Sequence, residues 1–134
     1  MKRVEFGILH VLYFSIIMHL SQDLKLSLTS KEGWMINQTL NVPLYGFELE
    51  KFKKEIGDLA FIESLNEKLR LILDPAEGSQ NTVILHFQNL NELSNFRKAF
   101  FAACEIAEQW EFPILTGYSW EESRNLMKDM DSSI

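Results

Sequence analysis

Residues 23–40 read DLKLSLTSKEGWMINQTL, and how this stretch divides decides the fold. Leu24, Leu26 and Leu28 alternate with Lys25, Ser27 and Thr29, the period of two expected of a strand with one buried face. Ser30-Lys31-Glu32-Gly33 has turn composition, after which Trp34, Ile36 and Leu40 resume a looser alternation with Met35, Asn37 and Thr39. The spacing predicts a β-hairpin over 24–40, closed by Pro43 and Gly46. Asn37-Gln38-Thr39 matches a glycosylation triplet, but with eight Asn in the chain a single match carries no weight.

Moving toward the C-terminus, the period changes. Leu49, Phe52, Ile56 and Leu59 recur at threes and fours among Glu and Lys residues, which predicts a short amphipathic helix over 47–56 with Gly57 as its cap. Leu69, Leu71 and Leu73 alternate with Arg70 and Ile72, and Val83, Leu85 and Phe87 alternate with Thr82, Ile84 and His86. These two runs predict a second hairpin whose loop is residues 74–81. Asn89 with Glu92 starts a helix marked by Leu93, Phe96, Phe100, Ala103, Ala107 and Trp110 and extending to about Glu111. Pro113 breaks it, Ile114-Leu115-Thr116 is expected as a short strand, and Ser119 with Glu122 caps a closing helix lined by Trp120, Met127 and Met130. The expected fold is α+β: one domain over 1–134, with an antiparallel β-sheet built from hairpins and a long amphipathic helix and shorter helices packed on one face.

Toward the N-terminus, Met1-Lys2-Arg3 precedes an apolar run from Phe6 to Leu20. A buried strand or hairpin is the first reading. A secretory signal or anchor is the second, although His10 and His19 interrupt the run, small residues are missing at the cleavage spacing, and a span needs about 20 apolar residues. A third is translation from Met18, which would leave residues 1–17 outside the natural chain.

The 134 residues are 46% hydrophobic and 24% charged, enough for a core without metal or disulfide, and this excludes disordered and disulfide-scaffold classes. The net charge of −6 argues against a broad nucleic-acid face. That charge is local: residues 105–134 hold only Arg124 and Lys128 against Glu105, Glu108, Glu111, Glu121, Glu122, Asp129 and Asp131. Such a run either solvates two helices or presents a surface to a basic partner.

Catalytic signatures are missing. His10, His19 and His86 have no zinc-ligand spacing, and no nucleophile elbow, phosphate loop, dinucleotide loop or calcium loop occurs. The lone Cys104 can form no intrachain disulfide, nothing suggests an oxidising compartment, and a buried, inert thiol is expected. His86 lacks a positioned second group for base catalysis. Asp74 with Glu77 reads as turn chemistry, and Glu121 with Glu122 as a helix start that favours negative charge. The chain is therefore read as a binding protein without cofactor or metal, not as an enzyme.

Trp110, Phe112, Tyr118 and Trp120 lie among Glu108, Glu111, Glu121 and Glu122. Packing of a helical corner explains such rings. So does a binding surface, where a rigid aromatic anchors a partner and the carboxylates speed encounter with basic groups. Stacking on nucleic acid would want Arg and Lys between the rings.

Over residues 24–111 the order hairpin, short helix, hairpin, long helix, followed by acidity, resembles the small immunity proteins that neutralise bacterial contact-delivered toxins. The resemblance implies a cytoplasmic inhibitor that masks a basic toxin or nuclease, with carboxylates in place of an anionic substrate. It also implies Glu108, Glu111, Glu121, Glu122 and Asp129 as partner-binding residues, and Trp110 or Trp120 as anchor. From the net charge and the short apolar run, no nucleic acid and no stable membrane insertion are expected. Two other classes stay open. An adaptor, secretion chaperone or homo-oligomeric structural protein would use the apolar N-terminal run, and an enzyme with a dispersed site would join His86 to a carboxylate in one pocket.

Overall fold

The computed structural model describes residues 4–5, 24–74 and 82–132. Strand β1 is Val4–Glu5, β2 is Leu24–Thr29 and β3 is Thr82–Phe87, arranged in the order β1-β2-β3 with both pairings antiparallel. The β2/β3 register sets Leu24 opposite Phe87, Leu26 opposite Leu85 and Leu28 opposite Val83. All six side chains are buried. The intervening pairs, Lys25 with His86 and Ser27 with Ile84, lie on the opposite face, where Ile84 and His86 are exposed. Helices cover the buried face, so the fold is α+β, as expected.

The sheet is not assembled from hairpins. After β2 the chain turns directly into helix α1, Ser30–Leu44, where a second strand was expected. Thr29 Oγ1 accepts from the Glu32 N–H at 3.1 Å and a Glu32 carboxylate oxygen accepts from the Thr29 N–H at 2.9 Å. This reciprocal cap satisfies two backbone donors at the helix start. Met35, Ile36, Thr39 and Leu40 then fall on one buried face, at helical rather than strand spacing. Gly33 lets α1 pack closely on both Leu73 and the sheet: a Cβ there would lie 3.1 Å from Leu73 Cδ2 and 3.5 Å from Val83 Cγ2 of β3.

The second correction concerns 69–73, which form the last turns of helix α3, Ala60–Leu73. Its buried residues, Ile62, Leu65, Asn66, Leu69 and Leu73, follow the helical period. Leu71, at 46% exposed, is a surface leucine that counterfeited alternation with its neighbours. Strand β3 consequently pairs with β2, across three helices, and not with the preceding segment. The expected short helix between them is present as α2, Leu49–Ile56, with Phe52 buried. Gly57 ends it at φ +91°, donating its N–H to Lys53 O, although its ψ of −121° is not that of a left-handed cap.

Helix α4, Leu90–Ile106, starts where Asn89 and Glu92 place it. The Asn89 side chain accepts from the Glu92 N–H, while Glu92 reaches back to the Gln88 N–H in place of that of Asn89. Leu93, Phe96, Ala99, Phe100, Ala103 and Cys104 are buried along it, and the Phe96 ring lies 5.5 Å from that of Phe87. The helix ends before the expected Glu111, and Trp110 is outside it. Residues Phe112–Thr116 form a short helix, α5, where a strand was expected; Pro113 in a first turn has no N–H to lose and a helical φ. Helix α6, Trp120–Ser132, is started by the reciprocal Ser119/Glu122 cap and buries Ser123, Leu126 and Met130. The expectations for residues 6–20 and for Glu77 lie outside the described residues.

A buried amide cluster fixes α1 against α3. Asn37 Nδ2 donates to Asn66 Oδ1 at 3.0 Å and Asn66 Nδ2 donates to Asn41 Oδ1 at 2.8 Å. Replacing one member strands the others in an apolar interface. Asn66→Leu is expected to lower unfolding free energy by about 1–3 kcal/mol in urea denaturation, and Thr29→Ala by about 1 kcal/mol through loss of the cap.

Candidate functional site: the acidic aromatic corner

The seven acidic or aromatic candidates separate into two groups. Glu108, Trp110 and Glu111 occupy the turn between α4 and α5, whereas Trp120, Glu121, Glu122 and Asp129 lie on α6.

Glu108–Glu111 form a turn that leads into α5. Glu108 O accepts from the N–H groups of Glu111 and Phe112, and Glu111 O from those of Ile114 and Leu115. A Glu111 carboxylate oxygen accepts from the Glu108 N–H at 3.2 Å, and a Glu108 carboxylate oxygen accepts from Trp110 Nε1–H at 2.9 Å. Trp110 and Ile114 stand four residues apart, the spacing at which side chains share a side where the backbone is helical. Trp110 is 67% exposed, Ile114 76% and Leu115 37%. The corner is held from beneath by Phe112 and Thr116, both buried, with Thr116 Oγ1 donating to Phe112 O at 2.9 Å. It is thus an apolar projection on a fixed base with carboxylates beside it. Sequence reading missed Ile114 and Leu115 because it laid them in a strand; their spacing from Trp110 was the available signal.

On α6 the candidates are used differently. Glu122 forms an ion pair with Lys31 of α1 at 2.6 Å and caps its own helix through Ser119. The Lys31 hydrogen bond, followed by that of the Ser119 backbone, holds its carboxyl below the ordinary value, and Lys31 is raised in return. The Trp120 ring is covered by the Arg124 guanidinium, 4.9 Å from its centroid, and Arg124 is also ion-paired with Glu105 of α4. Glu121 and Asp129 are exposed. Trp120 and Glu122 therefore secure α6 to the body, leaving Trp110 as the one of the two candidate rings that is presented to solvent. Burial pushes the Cys104 thiol up to about 12. Among the described residues no group of three His, Cys, Asp or Glu is placed to hold a metal ion, and no helix is long and apolar enough to cross a membrane.

Two measurements check these assignments. Because the folded pKa of Glu122 is depressed, the pair stabilises above the ordinary glutamate range and this contribution fades as pH falls through the folded value. In Lys31→Met, an NMR titration of Glu122 should move toward its ordinary 4.5, stopping short because Ser119 still donates. Cys104 should resist an aromatic disulfide reagent at pH 8 in the folded chain and react after denaturation, since only the thiolate attacks. No protein-family model, curated protein or solved structure matches this chain.

Proposed function

We propose that this chain is a protein-binding module of the inhibitor type, which masks a basic surface of its partner with the corner at residues 108–115. The observation that carries this reading is the exposure of Trp110 and Ile114, four residues apart on a hydrogen-bonded turn that buried Phe112 anchors. A large ring held in place loses little entropy on docking, and such anchors dominate interface energies. Glu108 and Glu111 flank it with negative charge, which favours a basic partner and accelerates its approach. Self-association through the same corner would bring these carboxylates against their copies, so a different, basic protein is the better occupant.

Co-expression with the product of the gene directly upstream, followed by purification and binding at low and high salt, tests the reading. Trp110→Ala should weaken the complex about thirtyfold, the size of a hot-spot loss near 2 kcal/mol. Glu108→Lys with Glu111→Lys should slow association and remove most of its salt dependence. A complex indifferent to both variants and to salt, or a chain that only self-associates, would sink the proposal.

A further inference from the structure

The only two basic residues of the acidic last 30, Arg124 and Lys128, face the same place. Together with Phe101 and Met127 they line a recess of about 160 Å³. A larger cavity of about 630 Å³ shares Phe101 and Met127 and is bordered by Arg97 and Lys98 of α4. The two recesses adjoin at Phe101 and Met127, between α4 and α6, and the larger also meets Glu55 at the end of α2. Its floor is apolar: Phe101, Ala102 and Met127 are each half-buried and hold part of their surface open to it.

Four cations edge this floor. The Arg97 guanidinium stacks 5.5 Å from the Phe101 centroid, Arg124 is held by Glu105 and the Trp120 ring, and Lys98 and Lys128 are exposed. Arg124 and Glu105 neutralise one another, so Arg97, Lys98 and Lys128 stand against Glu55 and the combined rim is positive on balance in a chain that is otherwise acidic. We infer that this groove binds a small amphiphilic anion, an apolar chain or ring bearing a carboxylate or phosphate, with its body on Phe101 and Met127 and its head between Lys98 and Lys128. The larger recess is open to solvent but wide enough to seat the body of a small molecule against its apolar floor. An acidic macromolecule would meet the surrounding carboxylates, whereas a small anion responds mainly to charges within a Debye length. The site is separate from Trp110 and does not depend on the protein-binding reading.

Decanoate, kept below its micellar concentration, is the probe, titrated by calorimetry and by NMR of the Met127 methyl and Phe101 ring. The expected result is saturable binding with one site per chain. Decanol, which lacks the charge, and acetate or inorganic phosphate, which lack the body, should each bind at least about tenfold more weakly, the scale of one charged hydrogen bond. Lys98→Glu and Lys128→Glu, both at exposed positions and checked for unchanged melting, should weaken decanoate by a similar factor, while Trp110→Ala should not. Decylphosphate in parallel separates a preference for phosphate from one for carboxylate. Non-saturable uptake, equal affinity for decanol, indifference to both lysine variants, or binding to anionic vesicles alone would each overturn the inference.

Discussion

The pairing of Leu24–Thr29 with Thr82–Phe87 is the constraint on which the rest of the structure depends. Residues 30–81 separate the partners, so α1, α2 and α3 must leave the sheet and return before the strands can meet. A register slip by one residue would turn Leu24, Leu26 and Leu28 to the opposite face and undo the apolar contacts with Val83, Leu85 and Phe87. Those contacts in turn give α4 its seat, through Phe96 against Phe87. The corner at 108–115 inherits its position from α4, because it begins just after that helix ends.

Much of this was legible where a cap and a period agreed. Asn89 with Glu92 and Ser119 with Glu122 place two helix starts, and the leucines of 24–28 and the apolar residues of 83–87 place two strands. The failures came where a period was read without its cap. Thr29 and Glu32 have the same spacing as the two caps that were recognised, yet the polarity of 30–33 was taken for a turn. In 69–73 an exposed leucine completed a false alternation, and only the longer series Ile62, Leu65, Leu69 and Leu73 restores the helix. Strand partners could not be deduced from nearness in sequence, because the true partner lay beyond three helices.

The same distinction applies to charge. Counting carboxylates along 105–134 identifies an acidic segment but cannot tell which of them are committed. The structure assigns Glu105 and Glu122 to ion pairs that hold α6 against α4 and α1, and leaves Glu108 and Glu111 beside the exposed ring. It also gathers the segment's two cations at Phe101 and Met127, next to the recess that Arg97 and Lys98 border. A single acidic stretch thus contributes to two surfaces of opposite character.

The non-local sheet has a consequence for how the chain is made. During synthesis β2 emerges early with one backbone edge awaiting β3, and that edge stays open until Phe87 has left the ribosome. Three helices form in the interval, each with an apolar side and no finished sheet to cover. A nascent chain halted between α3 and β3 would present an open strand edge lined with leucines, the kind of template on which neighbouring chains associate. Expression at low temperature with abundant chaperones therefore favours this protein, and fragments ending between α3 and β3 are poor choices for isolated study.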